Sequence, residues 1–277
     1  MSVYQESGYQ RSAFSFGVAG SSNEAKYGGR KLEVNSKELT SWLIILTEET
    51  GLDRNWFPGM YSPKFNLVHD RALLFEAMRA YSFATIVGPI AGSPGGAGAT
   101  ATHLPLVLKD EGEWGIVEGH FAKANPHWRV LAGCETLMIF AGPHSYVSPT
   151  LYTQALSVPT WNYIAIHASG SLSLVEDDAG KEALLAELIA IHEPAFLHRW
   201  RAMPEGFRRT MLAGIVGFRI PIDRIEGKFE LSQNRTAEER RNVHTAHSAG
   251  TADQRALASW MERLAAGSDT EWPGREG

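Results

Sequence analysis

The sequence predicts a mainly antiparallel β fold with peripheral helices, an α+β architecture. Three observations carry that expectation. Strand-like segments follow one another without a helix between each pair, which disfavours a βαβ sheet. The stretch NYIAIHASGSLSLVED (162–177) alternates Ile164, Ile166, Ala168, Leu172 and Leu174 with polar neighbours, the period of a strand with one buried face. Capped helices are confined to a few places, above all the C-terminal end.

Taken in order, residues 1–36 are rich in Gly, Ser, Tyr and Gln and lack apolar periodicity, so they are expected to be disordered. KELTSWLIILTEET (37–50) has the pattern of a short helix or strand. The first 59 residues read as an extension outside the core, 60–266 as the domain, and 267–277 as a tail. Asp70 caps a helix running to about Tyr81, with Leu73, Leu74, Ala77, Met78 and Tyr81 on one face. FATIV (83–87) is a strand, GSPGGAG (92–98) a flexible link, ATATHLPLVL (99–108) a second strand and GEWGIVEG (112–119) a third. TLMIFAGP (136–143) is a buried strand, and 162–177 is a long one bent near Gly170. Residues 180–192 form a helix with Leu184, Leu185, Leu188 and Ile191 inward. A helix over 205–213 and a strand over 214–227 follow. Two helices close the chain, with capping boxes at Thr236/Glu239 and Thr251/Gln254 and a break at Ala249-Gly250.

Composition narrows the chemistry. The chain has 277 residues, a net charge of −5 and a pI near 6.1, so it offers no basic field for phosphate-driven nucleic-acid binding. The single cysteine, Cys134, excludes an intramolecular disulfide, a Cys-rich metal site and c-type haem attachment. Beside an apolar run, it is expected to be a buried, inert thiol. No apolar run approaches the roughly 20 residues of a membrane helix, and no signal peptide is legible. A cytoplasmic protein is expected.

No nucleotide-binding glycine pattern and no hydrolase triad stands out. Pro105 marks ATHLP as an edge or bulged strand, where Thr102 and His103 are placed to donate to a phosphate or ring oxygen. GHFAKANPHW (119–128) sets His120 at a strand end before a helical turn stopped by Asn125-Pro126, with Lys123, His127 and Trp128 close in sequence. Imidazole suits iron when its second nitrogen is held. GPHSYVSPTLY and VPTWNY bring Ser148, Thr160, Trp161, Asn162 and Tyr163 between proline-fixed turns, a profile of preorganised pockets. KFELSQNR (228–235) places Lys228, Ser232, Gln233 and Arg235 where an anion would suit them.

The blocks MYSPKF, ATHLP, GHFAKANPHW, FAGPHSYVSP, VPTWNY and KFELSQNR, in this order from about Met60 to Leu264, resemble the PaiB family of FMN-binding negative transcriptional regulators. The resemblance implies an FMN-binding split β-barrel like that of pyridoxamine-phosphate oxidases and flavin reductases. It also implies a homodimer holding FMN at the subunit interface, through Thr102, His103, Lys228 and Ser232 with Trp161 and Asn162 nearby. A small-molecule ligand is compatible with that pocket. Haem-dependent piperazate synthases look similar, and in that branch His120 would be the axial ligand of haem b. Leu151-Tyr152 and the short TQALS connection lean toward that branch, KFELSQNR and the histidine of GPH toward the regulators. Direct DNA binding is not legible, because the helix pair 236–264 reads as packing against the barrel. A barrel acting through protein contacts without a cofactor is the third reading.

Overall fold

The computed structural model describes residues 15–18, 23–27, 30–33, 59–90, 98–154 and 156–266. The chain divides into two compact units, Met1–Gly59 and Met60–Gly277. In the first, β1 (Ser15–Val18), β2 (Asn23–Tyr27) and β3 (Arg30–Glu33) pair as a three-stranded antiparallel sheet. The sequence reading placed no strands there. The stretch read as a short helix or strand (37–50) and most of the Gly-rich link lie outside the described residues.

The second unit is a split barrel. A six-stranded sheet has the order β4 (Leu67–Val68), β13 (Arg224–Glu230), β10 (Thr160–Ser171), β9 (Glu135–Val147), β5 (Phe83–Pro89) and β6 (Ala99–Pro105). A four-stranded sheet has the order β11 (Ser173–Val175), β12 (Ile215–Pro221), β8 (Ile116–Ala122) and β7 (Val107–Lys109). Every strand pair among the described residues of this unit is antiparallel. The chain changes sheet at Leu106 and at Leu172, both buried, so one core fills the space between the sheets. Phe121, Phe140, Phe218 and Phe229 are fully buried in it, each contributing about 1.5–3 kcal/mol of transfer free energy.

Among the described residues seven α-helices flank the sheets: α1 (Arg71–Ala80), α2 (His127–Leu131), α3 (Asp178–His192), α4 (Phe196–Ala202), α5 (Glu205–Ala213), α6 (Ala237–Ser248) and α7 (Ala252–Ala266). Asp70 caps α1 by accepting from Leu73 N at 3.0 Å. Both C-terminal capping boxes form. Helix α7 packs on the barrel through Leu257, Ala258, Trp260 and Met261, and Trp260 Nε1 donates to Tyr81 Oη at 2.7 Å.

Several expectations need correction. The strand expected over 99–108 breaks at Leu106, because Pro105 ends the β6 ladder and the chain crosses to the other sheet. The strand expected over 112–119 runs from Ile116 to Ala122, so His120 lies inside it. Asn125-Pro126 starts α2 rather than stopping a helix: Pro126 needs no N–H there, and Asn125 Oδ1 accepts from His127 N at 3.0 Å. The strand expected over 214–227 is two strands, turned at Ile222-Asp223, and its second half includes Lys228. Ile191 is exposed, beyond the buried stripe of α3. Cys134 is exposed as well, since the turn through Gly133, at φ 74°, carries it away from the core.

Candidate functional site

Register and burial divide the six-stranded sheet into two faces. Ile86, Met138, Phe140, Ile164, Ile166 and Phe229 point inward and are buried. Their alternates point outward, and this outer face is open. Phe83 is 68% exposed, Trp161 51% and Tyr146 49%. One transverse row on the outer face reads Glu226, His167, Ile139, Thr85, His103 across β13, β10, β9, β5 and β6. The next reads Lys228, Ala165, Ala141.

At one end of this face the rings gather. Trp161 lies 5.5 Å from the ring of His144 and 6.4 Å from that of Tyr146. Beside them Lys228 is buried among the rings of Tyr163 (5.1 Å) and Tyr61 (5.6 Å), with Nζ 3.5 Å from Glu230 Oε2. Burial works to lower the pKa of Lys228, but Tyr163 and Glu230 outweigh it, so the ammonium stays above its ordinary value. His103 is exposed on β6, with Nδ1 2.9 Å from Thr85 Oγ1, so Nε2 is its remaining polar atom.

The other predicted residues lie elsewhere. Asn125 Nδ2 donates to Thr102 Oγ1 at 3.2 Å, and that oxygen sits 2.9 Å from His127 Nδ1. With the Asn125–His127 bond this makes a closed polar ring that ties β6 to α2. Asn162 is buried on the inner face, where its Oδ1 accepts from Ser232 Oγ at 3.1 Å and its Nδ2 has no partner among the described residues. Ser232 holds φ 64°, a left-handed position costly for a residue with a side chain. Gln233 folds back on its own turn, accepting from Leu231 N at 2.6 Å and donating to Phe229 O. Ser148 caps the turn Pro149–Leu151.

His120 is in the other sheet, opposite Gly217. It lines a shallow pocket with Pro105, Val107, Glu118, Gly119, Leu184 and Leu188, a cavity of only about 10 Å³. That is far below the roughly 300–1,000 Å³ of cofactor-sized sites. Burial lowers the His120 pKa, so the ring is neutral at neutral pH. Among the described residues no group of three or more His, Cys, Asp or Glu side chains is placed to hold a metal ion.

The predicted set is therefore not one cluster within a chain. His103, Trp161 and Lys228 share the outer face, Thr102 and Asn125 lock a junction, and Asn162, Ser232 and Gln233 shape a turn. Sequence reasoning did not single out Thr85, His144, Tyr146 or His167 as part of this face. Strand parity would have found His167, which alternates with Ile164, Ile166 and Ala168.

Comparison with known proteins gives the family. The family model described as "Putative FMN-binding domain" matches residues 60–224. The chain belongs to that family, the PaiB family of the sequence reading, and FMN is the cofactor that membership assigns to it. It is 36% identical over 190 residues to "Protease synthase and sporulation protein PAI 2" of Bacillus subtilis (strain 168), covering 66% of this chain and 87% of that protein. An uncharacterized protein of Emericella nidulans is 30% identical over 172 residues, covering 48% of this chain and 68% of that one. Among solved structures, the flavocytochrome Anf3 from Azotobacter vinelandii matches with a TM-score of 0.47 and 14% identity, over 60% of this chain and 69% of that one. No helix among the described residues is long and apolar enough to cross a membrane.

Proposed function

We propose that two copies of this chain bind FMN at their common seam, against the open outer face of the six-stranded sheet, and that the protein acts in flavin-dependent redox or redox-coupled regulation. One observation carries the reading: exposed planar rings and a held cation occupy the same end of that face. Trp161, with His144 and Tyr146 behind it, would supply a flat surface for the ring system. Lys228, fixed by Tyr163 and Glu230, would hold the phosphate charge, and a Lys fixed in place loses less freedom on binding. His103 Nε2 would offer a polar contact from the β6 edge. FMN supplies electron transfer; the chain supplies binding, orientation and exclusion of water.

Thr102, Asn125, Asn162, Ser232 and Gln233 would act one step back, by fixing the strands and the turn that carry these groups. The Bacillus subtilis relative is named for protease synthesis and sporulation, and a part in processes of that kind is the regulatory half of the reading.

The test is the absorption spectrum of the purified protein, followed by FMN titration of wild type, Lys228→Ala and Trp161→Ala. Flavin bands, together with affinity weakened at least tenfold in each variant, are expected (about 1.4 kcal/mol). A Soret band lost in His120→Ala would replace this reading with the haem one. A colourless protein that takes up neither cofactor would leave the protein-contact reading.

A further inference from the structure

His167 is a polar side chain of the outer face with nothing to bind. It points outward from β10, half-buried, opposite Glu226 of β13. Its ring makes no hydrogen bond among the described residues. The carboxylate opposite leans to another partner, with Glu226 Oε2 4.0 Å from Arg224 Nε. Burial, ahead of the opposing charge of Glu226, lowers the His167 pKa. The imidazole is therefore neutral at neutral pH and carries one N–H with no acceptor.

Beside it the surface has a hollow. Ala165, one outward step before His167 on β10, opposes Lys228 on β13 and Ala141 on β9. The two alanine methyl groups make a floor. Lys228 and His167 stand over it as diagonal neighbours across the strand pair, with Cβ atoms about 7–8 Å apart. From that separation an ammonium on a four-carbon stem and an imidazole both reach the space above Ala165. Lys228 alone is a weak anion site, because Glu230 already answers its charge at 3.5 Å. A second N–H on the opposite rim turns the hollow into a two-sided clamp. The spacing to the rings also suits a flavin mononucleotide. Trp161 lies four residues before Ala165, about 13 Å along β10 at the rise of a strand. A ring system on Trp161, with its ribityl chain running along β10, brings the terminal phosphate over Ala165.

We propose that His167 is a phosphate-binding residue, donating together with Lys228 to the FMN phosphate above Ala165, and that this pair makes the protein select FMN over riboflavin. The inference rests on the flavin reading above and adds the selection.

The experiment titrates the full chain with FMN and, separately, with riboflavin, which has the same ring system and no phosphate, and follows flavin fluorescence. Wild type should bind FMN about a hundredfold more tightly than riboflavin, since two donors to a charged group are worth roughly tenfold each. His167→Leu should weaken FMN binding roughly tenfold and leave riboflavin within about twofold. His167→Gln keeps an N–H donor and should hold FMN within about threefold of wild type. Ala165→Asp sets a carboxylate on the floor and should weaken FMN about a hundredfold while sparing riboflavin. Circular dichroism spectra check that each variant is folded, and if Ala165→Asp is not, the two His167 variants decide. A wild type that takes up neither flavin overturns the flavin reading itself. Equal affinity of wild type for both flavins, or a His167→Leu variant that weakens both alike or neither, overturns this inference alone.

Discussion

The two faces of the six-stranded sheet carry the same kinds of residues and use them differently. On the inner side, polar groups are spent on one another: Thr102 with Asn125 and His127, Asn162 with Ser232, Gln233 with its own turn. On the outer side, His103, Trp161 and Lys228 keep a ring face or a donor turned outward. The contrast teaches that a family motif is not a list of contacts. Neighbours such as Thr102 and His103 fall on opposite faces because strand side chains alternate, so one builds the scaffold while the other is free to bind.

If that division is right, damage should separate cleanly into stability and binding. The largest effect is expected at Phe229, fully buried and 5.6 Å from the ring of Trp260. Phe229→Ala should cost about 3–5 kcal/mol of stability, measured by urea denaturation, with FMN affinity of the folded fraction nearly unchanged. A smaller loss is expected at Gly88, where an added Cβ would lie 2.2 Å from Leu131 Cδ2 and 3.0 Å from His127 Nε2. Gly88→Ala should therefore cost about 1–3 kcal/mol, through the junction that holds α2 to β5. Trp161→Ala is the converse: melting should move little, within about 0.5 kcal/mol, while FMN binding weakens. A Trp161 variant that unfolds, or a Phe229 variant that loses only flavin, would erase the distinction between the faces.

Much of the barrel was legible because burial writes itself into period-two alternation. Ile164, Ile166 and Ala168 announced β10, and Asp70, Thr236 and Thr251 announced helix starts through local hydrogen bonds that need no tertiary information. The places where the chain changes sheet were not legible. Leu106 sits inside the continuous apolar run LPLVL, and at Ile222 the apolar residues resume at Ile225, so no local preference separates a strand that continues from one that crosses to the opposite sheet. Asn125-Pro126 was read as a stop because both residues break helices from within, yet the same chemistry starts one when it comes first. The site was half legible: residue types suited to an anion and a planar ring were evident. Which of them share a face depends on register between strands far apart in sequence, such as Lys228 against Ala165 and Thr85 against His103.

The smallest expected effect concerns pH, and it sharpens the comparison between buried and exposed groups. His247, on α6, is 1% exposed with neither ring nitrogen partnered among the described residues. Burial first, then the charge of His244, lowers its pKa from 6.5. Burial likewise lowers His127. A folded-state pKa below the unfolded one means that the unfolded chain takes up the proton first. The stability these groups allow is therefore complete above about pH 6.5 and is lost as the pH falls through 6.5 toward the depressed folded values. His247→Leu removes the group without opening a large void, so its stability should fall less steeply than wild type between about pH 7 and 5. Urea midpoints across the range decide the matter: equal slopes for wild type and His247→Leu would mean that the buried imidazole is hydrated, and that helix α6 is less closely packed than its burial implies.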